Sequence, residues 1–413
     1  MNETRFLLSD REREFYLLCT MPQAEILTYS YEMRFEDIPP YCIIEAIRIF
    51  LHFNEGARIR LAPEEAGKEP MQEILPVSEI PLEVTSCDGT DSAYQEVVQR
   101  YINRPLDPWK YTIRFQAVLF PKEETRLLIA FHHLNMDYYC EEHTIASIRK
   151  IANELRNTGR TTYEAPSFTG FLEWRRAYLK GPEFQRDMEF WSEYLSGNYE
   201  IGRMNGEGRR MYENQTFWMT NEEQERLSIA ARRVKISTVN VLYVLYGLVL
   251  SEYTGLRRFT IQRSYSNRFG QYREVFGILR SDVLLIFDAD SFTGACERWK
   301  RDGLRIASHA RITKSRIQQI FARNSRKLGK EYDPLDLTDF YFNEHLPEIG
   351  ARRLSRNMSE EMRKGYLKCT VIKKDERTGL VIEGNQNLLR DASQGGAPRS
   401  FEDVYRRMME LMQ

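Results

Sequence analysis

Leu127-Leu128-Ile129-Ala130-Phe131-His132-His133-Leu134-Asn135-Met136-Asp137-Tyr138 is the stretch on which the reading of this chain turns. Its five leading apolar residues read as a buried strand. A helical pattern follows from Glu141 to Leu155. Two adjacent histidines and an aspartate therefore occupy a strand-to-helix connection, where a rigid scaffold holds polar groups in place. Neighbouring strand residues face opposite sides. If His133 faces a cleft, His132 faces the packing side. Taken alone, a His-His pair at a strand end reads more readily as structural than as catalytic, so the rest of the chain has to be weighed.

The chain has 413 residues, too many for one simple core and suited to two domains. Apolar residues make up 42% and charged residues 29%, as in a globular protein that folds in water. The formal charge of −1 gives no electrostatic footprint for nucleic acid. No apolar run approaches the ~20 residues of a membrane span. The first residues, Met1 to Arg5, are polar and lack the apolar core of a signal peptide. The six cysteines are scattered without metal or redox spacing, and reduced thiols in the cytoplasm are expected. His143, His309 and His345 form no metal spacing with the pair, so no metal site is expected.

Along the chain, helices are expected at 10–18, 41–52, 92–101 and 141–155, and strands at 26–35, 58–61, 112–120 and 126–131. The polar stretch 156–167 marks a boundary between domains 1–165 and 166–413. The second half should hold helices at 168–178, 182–195, 222–234 and 239–253, a charged helical stretch at 292–325 and a last helix at 401–412. Strands are expected near 211–219, 258–264, 279–287, 337–342, 367–372 and 379–383. Both halves are α/β. The segment 386–399 reads as an insert rich in Asn, Gly and Ser.

The His132-His133-x-x-x-Asp137 pattern resembles the His-His-x-x-x-Asp-Gly motif of the nonribosomal peptide synthetase condensation domain superfamily, with Tyr138 in place of the glycine. Leu7 to Phe15 is similar to the family's opening helix. Asn54-Glu55-Gly56-Ala57-Arg58-Ile59-Arg60-Leu61 resembles its second motif, with Asn54 replacing a histidine. Phe190-Trp191 to Gly197, Ser266-Asn267-Arg268, Phe276-Gly277 to Asp282, and Tyr341-Phe342-Asn343 match further family segments in order. The resemblance covers nearly the whole chain.

That resemblance implies an α/β fold of two chloramphenicol-acetyltransferase-like lobes forming a V-shaped pseudo-dimer around a cleft. It implies that His133 is the active-site histidine, with His132 as support. Asp137 would pair with Arg58, the arginine of the second motif, and so fix the loop. Tyr138, Arg280, Ser281 and Asn343 are candidates for the channel or substrate lining. The Tyr138 ring could narrow the channel, reshape an acceptor pocket or swing away, and a side chain there would resist a positive φ. Cys140, at a helix start, could be a low-pKa thiol or a small buried residue, and the second is favoured.

Two functions follow. The first is an acyltransferase that forms an amide or ester from a carrier-bound acyl thioester. It would need no intrinsic cofactor, since phosphopantetheine arrives on an acyl or peptidyl carrier protein. The chain holds no carrier signature, so that partner would act in trans, unless the chain was excised from a larger synthetase. Neither nucleic acid nor membrane is expected as a partner. The second function is an inactive condensation-like domain that recruits a carrier protein or tailoring enzyme, favoured by Tyr138, Asn54 and Ser281.

Overall fold

The computed structural model describes residues 5–20, 27–65, 67–121, 124–204, 213–327, 337–344, 351–355, 367–374, 376–385, 389 and 399–412. Most of the expected insert 386–399, the strand starts at 26 and 211, and His345 lie outside the described residues. The chain forms two compact units. The first comprises Met1–Lys180, Arg268–Arg280 and Glu348–Met358, and the second the remainder. The first unit thus includes three segments, 166–180, 268–280 and 348–358, that the expected division at residue 165 assigns to the second lobe.

In the first unit, a five-stranded sheet runs in the order Ala351–Ser355, Thr28–Phe35, Thr125–His132, Ile113–Leu119, Leu82–Ser86. Only the last pair is parallel. Two helices, Pro40–Phe53 and Tyr138–Thr158, cover one face, packing Ile43, Ile47, Phe50, Ile145 and Ile148 against Leu127, Ile129 and Phe131. The helix Asp91–Ile102 covers the other, where Tyr94, Val98 and Tyr101 meet Leu128 and Ala130. The strand Thr125–His132 is therefore buried on both sides, the physical reason its sequence is a continuous apolar run. A small sheet of Arg5–Leu7, Met71–Ile74 and Ile59–Leu61 stands beside a helix Asp10–Cys19, whose start is held by a Ser9–Glu12 capping box.

The second unit is built on a six-stranded sheet in the order Ser281–Asp288, Arg258–Tyr265, Phe340–Glu344, Leu367–Lys374, Arg377–Gly384, Glu213–Trp218. Phe340–Glu344 is parallel to both its neighbours, and the other pairs are antiparallel. The helix Thr238–Thr254 is apolar on nearly every side and is correspondingly buried. Gly247 lets it approach the sheet, since a Cβ there would meet the Phe287 ring at 2.3 Å.

Several elements depart from expectation. The strands Met71–Ile74, Leu82–Ser86 and Ala351–Ser355 are short or carry charge, and their sequence pattern is correspondingly weak. The charged stretch 292–325 is two helices, Phe292–Ser308 and Lys314–Lys327. The helix after the histidines begins at Tyr138 rather than Glu141, because Asp137 caps it: its carboxylate accepts from the Cys140 amide at 3.3 Å. Among the described residues, no single helix is long and apolar enough to cross a membrane.

Candidate functional site

The strand Thr125–His132 ends with His132 opposite Thr28, and His133 is the first residue beyond it. Alternation carries His132 onto the face of Leu128 and Ala130, while His133 continues the face of Ile129 and Phe131. His132 is fully buried. Its Nδ1 accepts from the Leu134 amide at 3.1 Å, so Nε2 carries the hydrogen of the neutral ring. Burial pushes its pKa down to about 3.

His133 is half-buried, and its amide donates to the Leu27 carbonyl at 2.8 Å. The ring stands edge-on to Phe15 and Tyr29, with centroids 4.6 and 5.2 Å away. Nδ1 lies 2.9 Å from the Met136 carbonyl oxygen. A carbonyl only accepts, so Nδ1 holds the hydrogen and Nε2 is the basic nitrogen of the neutral ring. The loop that makes this contact is tied down by Asn135. Its amide donates to the Gly56 carbonyl at 2.6 Å and to Thr112 Oγ1 at 3.0 Å. Gly56 in turn permits a close approach, because a Cβ there would meet the Phe276 carbonyl oxygen at 2.0 Å.

Asp137 is fully buried and pairs with Arg268, at 2.6 Å from Oδ1 to Nη2. Its Oδ2 accepts the amides of Leu279 and Arg280 at 3.1 and 3.2 Å. Burial would raise its pKa, but the Arg268 charge and these donors hold the carboxyl below its ordinary value. Arg268 also donates to the Val275 and Gly277 carbonyls at 2.7 and 3.0 Å, locking the segment 268–280 onto the helix start. The expected pairing of Asp137 with Arg58 is corrected by this geometry. Arg58 donates instead to the Leu51 carbonyl, at 2.7 Å, and to the Leu75 carbonyl, tying the end of one helix to the strand Met71–Ile74.

Cys140 is fully buried, with Sγ 3.2 Å from both the amide and the carbonyl of Gly277. Burial pushes its thiol up to about 12, against a reactive helix-terminal thiolate. Tyr138 is the first helical residue and half-buried. It is absent from the residues with positive φ, so this position imposes no demand for glycine. Its hydroxyl bonds the carboxyl of Glu142, one turn on. Burial pushes Glu142 up to about 8. Asn54, at the family's histidine position, donates to the Phe50 carbonyl and to the Tyr163 hydroxyl, each at 2.8 Å. His143 contacts the same hydroxyl at 3.2 Å.

The first unit thus brings together His132, His133, Asp137, Tyr138 and the Arg280 backbone. Ser281 and Asn343 belong to the second unit. Ser281 is buried and accepts from Asn267 at 2.7 Å, bracing the turn that precedes Arg268. Asn343 is half-buried on its strand, opposite Thr370. Asn135 and Arg268 were not picked out as site residues from the sequence. The signal available was the family-like Asn267-Arg268 turn, whose partner only the fold reveals. Among the described residues, no cluster of three or more His, Cys, Asp or Glu side chains is disposed to hold a metal ion.

The sequence profile of the condensation domain matches residues 33–327. Among curated proteins, the chain is similar to one of the subunits of plipastatin synthase from Bacillus subtilis (strain 168), 25% identical over 128 residues. That match covers 30% of this chain and 3% of the relative. It is also similar to the hybrid PKS-NRPS synthetase pynA of Aspergillus niger (strain ATCC MYA-4892 / CBS 513.88 / FGSC A1513), 26% identical over 153 residues, 35% of this chain and 4% of that protein. The chain therefore matches only a few per cent of the length of these relatives. Among solved structures, the first condensation domain of the calcium-dependent antibiotic synthetase, in complex with substrate analogue 3a, superposes with a TM-score of 0.72 at 16% identity, covering 100% of this chain and 96% of that one. The condensation domain from the Monacolin K polyketide synthase MokA gives a TM-score of 0.75 at 14% identity, covering 99% and 96%. At such identities the likeness establishes the fold, an α/β architecture of chloramphenicol-acetyltransferase type.

Proposed function

The chain belongs to the condensation-domain family, and from that membership we propose that it joins a carrier-bound acyl or aminoacyl thioester to an amine or hydroxyl acceptor. The observation that carries this reading is the contact of His133 Nδ1 with the Met136 carbonyl, which leaves Nε2 as the basic nitrogen. In the reaction, the acceptor nitrogen or oxygen attacks the thioester carbonyl carbon. The acceptor's proton passes to Nε2, the carbon–sulfur bond breaks, and the departing pantetheine thiolate takes that proton from Nε2, which returns the ring to its neutral form. Such base assistance is worth ~10²–10⁴-fold. Phosphopantetheine comes with the carrier protein, and the thioester supplies the activation. His132, held neutral, and the Asp137–Arg268 pair support the loop rather than touch substrate.

A second reading, a carrier-recruiting domain without catalysis, is favoured by Tyr138, whose ring stands where the family has no side chain. The deciding experiment is intact-protein mass spectrometry of wild type with loaded carrier proteins and candidate acceptors, beside His133→Ala. Transfer that depends on His133 supports the enzyme. Carrier binding without transfer across a broad acceptor panel supports the scaffold.

A further inference from the structure

The second unit holds a cavity of about 240 Å³ between the helix Phe292–Ser308 and one end of the strand pair Arg258–Tyr265 and Ser281–Asp288. Every residue that lines it belongs to this unit, and it shares none with the site around His133. Its walls are apolar and aromatic: Val244, Ile286 and Phe287 are joined by the rings of Tyr194, Tyr243 and Trp299. The Tyr243 and Trp299 rings stand 4.7 Å apart, and Tyr243 meets Phe287 edge-on at 5.9 Å. Arg263, which does not line the cavity, holds this wall. Its guanidinium lies 5.4 Å from the Tyr243 ring and 5.0 Å from that of Trp299, and it donates to Asn240 Oδ1 at 2.9 Å. Tyr194 is fixed as well, its hydroxyl accepting the Ile286 amide at 3.0 Å. Rings held in this way form a ready surface against which a flat aromatic group packs.

Two polar groups of the lining lack partners. Tyr243 is 2% exposed, yet among the described residues its hydroxyl makes no hydrogen bond. A buried phenol ordinarily has one. Arg258 lies at the mouth, half exposed, and among the described residues it donates no hydrogen bond. The carboxylate of Asp288 stands 3.9 Å from it. The other cations of the mouth are engaged, Arg298 by Asp290 and Arg301 by Asp302.

A guanidinium with unused donors beside a ring-lined cavity is suited to a carboxylate, which takes two parallel N–H bonds. Three arginines against two aspartates in the lining also favour an anion over an amine. The cavity is smaller than the ~300–1,000 Å³ of drug-sized pockets, which suits one ring and a short polar arm. We propose that it binds a small aromatic carboxylate, either an aryl acid or an aromatic amino acid. The ring packs against Tyr243, Trp299 and Phe287, the carboxylate sits on Arg258, and the Tyr243 hydroxyl gains its missing partner. This binding does not depend on acyl transfer at His133.

The test is titration calorimetry of the full chain with phenylacetate and with L-phenylalanine. At least one should bind with a dissociation constant of about 1 mM or tighter. Phenylacetamide keeps the ring without the charge and should bind about tenfold more weakly than phenylacetate. Cyclohexylacetate keeps the charge without the aromatic ring and should bind about threefold more weakly. Arg258→Gln should weaken binding about tenfold, and Tyr243→Phe about fivefold. Tyr243→Phe should melt no lower than wild type, since it removes only an unpartnered hydroxyl. His133→Ala should bind as wild type does, whether or not it transfers acyl groups. Preference for L-phenylalanine would mark an amino acid as the occupant, and preference for phenylacetate an aryl acid. No binding of either at about 10 mM, or binding indifferent to both Arg258→Gln and Tyr243→Phe, would overturn the site. So would loss of binding in His133→Ala, which would put the ligand at the histidine instead.

Discussion

Asp137 and Arg268, 131 positions apart in the chain, form an ion pair of 2.6 Å with both side chains almost wholly removed from solvent. The pair joins the cap of the helix that follows the histidines to the segment 268–280, and it takes the place expected for Asp137 and Arg58. Each partner makes further hydrogen bonds, Asp137 to the Leu279 and Arg280 amides and Arg268 to the Val275 and Gly277 carbonyls, which offset the cost of burying the charges. Arg268 Nε is buried without a partner.

Removing either partner should be costly. Arg268→Ala or Asp137→Ala leaves an uncompensated buried charge, and a loss of ~3–5 kcal/mol is expected. A double-mutant cycle by urea denaturation should return a coupling energy of more than about 1 kcal/mol. Arg58→Ala, losing only carbonyl contacts, should cost less than either. Additive losses in the cycle would show that the pair contributes nothing specific.

His133→Ala should fold normally, because the side chain is half-buried and its backbone contact to Leu27 survives. Acyl transfer from a loaded carrier should fall by ~10²-fold or more if Nε2 takes the proton. A smaller loss, with unchanged circular dichroism, points to positioning of the acceptor.

The buried His132 makes the fold acid-sensitive. Its folded pKa of about 3 lies below the ordinary value of 6.5. Stability from the neutral ring is therefore complete above pH 6.5, and it is lost as pH falls toward 3, because the unfolded chain takes up the proton first. The full loss is on the order of 5 kcal/mol. Melting curves from pH 7 to 4 should slope less steeply in His132→Asn. Parallel curves for the two proteins would count against the assignment.

Glu142 acts in the opposite direction. Its folded pKa of about 8 lies above the ordinary 4.5. Its contribution is complete below pH 4.5 and lost as pH rises through 8. Glu142→Gln should therefore gain stability on the wild type as pH rises from 5 to 9. Tyr138→Phe removes a hydroxyl that favours the carboxylate, so it should steepen the loss seen in the wild type. A flat difference between Glu142→Gln and wild type across that range would refute the shift.

Cys140 should resist alkylation in the native state. Its thiol is buried and pushed up to about 12, leaving almost no thiolate at pH 8. Iodoacetamide should label it only at the rate of unfolding, as peptide mapping would detect. Rapid labelling in native buffer would mean that the helix start opens readily.

The local sequence determined the elements and the place of the histidines. The doubly buried strand announced itself as a continuous apolar run, because each face meets its own helix layer. The long core helix did so for the same reason. The Asp137 cap and the Ser9–Glu12 capping box are also local, since a cap needs only residues within one turn. Short edge strands left little trace, because half their pattern faces water and their hydrogen bonds come from remote neighbours. The partner of Asp137 lay beyond local reading altogether: the family resemblance pointed to Arg58, and finding Arg268 required knowing which chain segment returns to the helix start. The tautomers of His132 and His133 were likewise decided by tertiary structure. A proton settles on one ring nitrogen or the other according to the group that faces it, and that group is fixed only when the loop, held by Asn135 and Gly56, has closed.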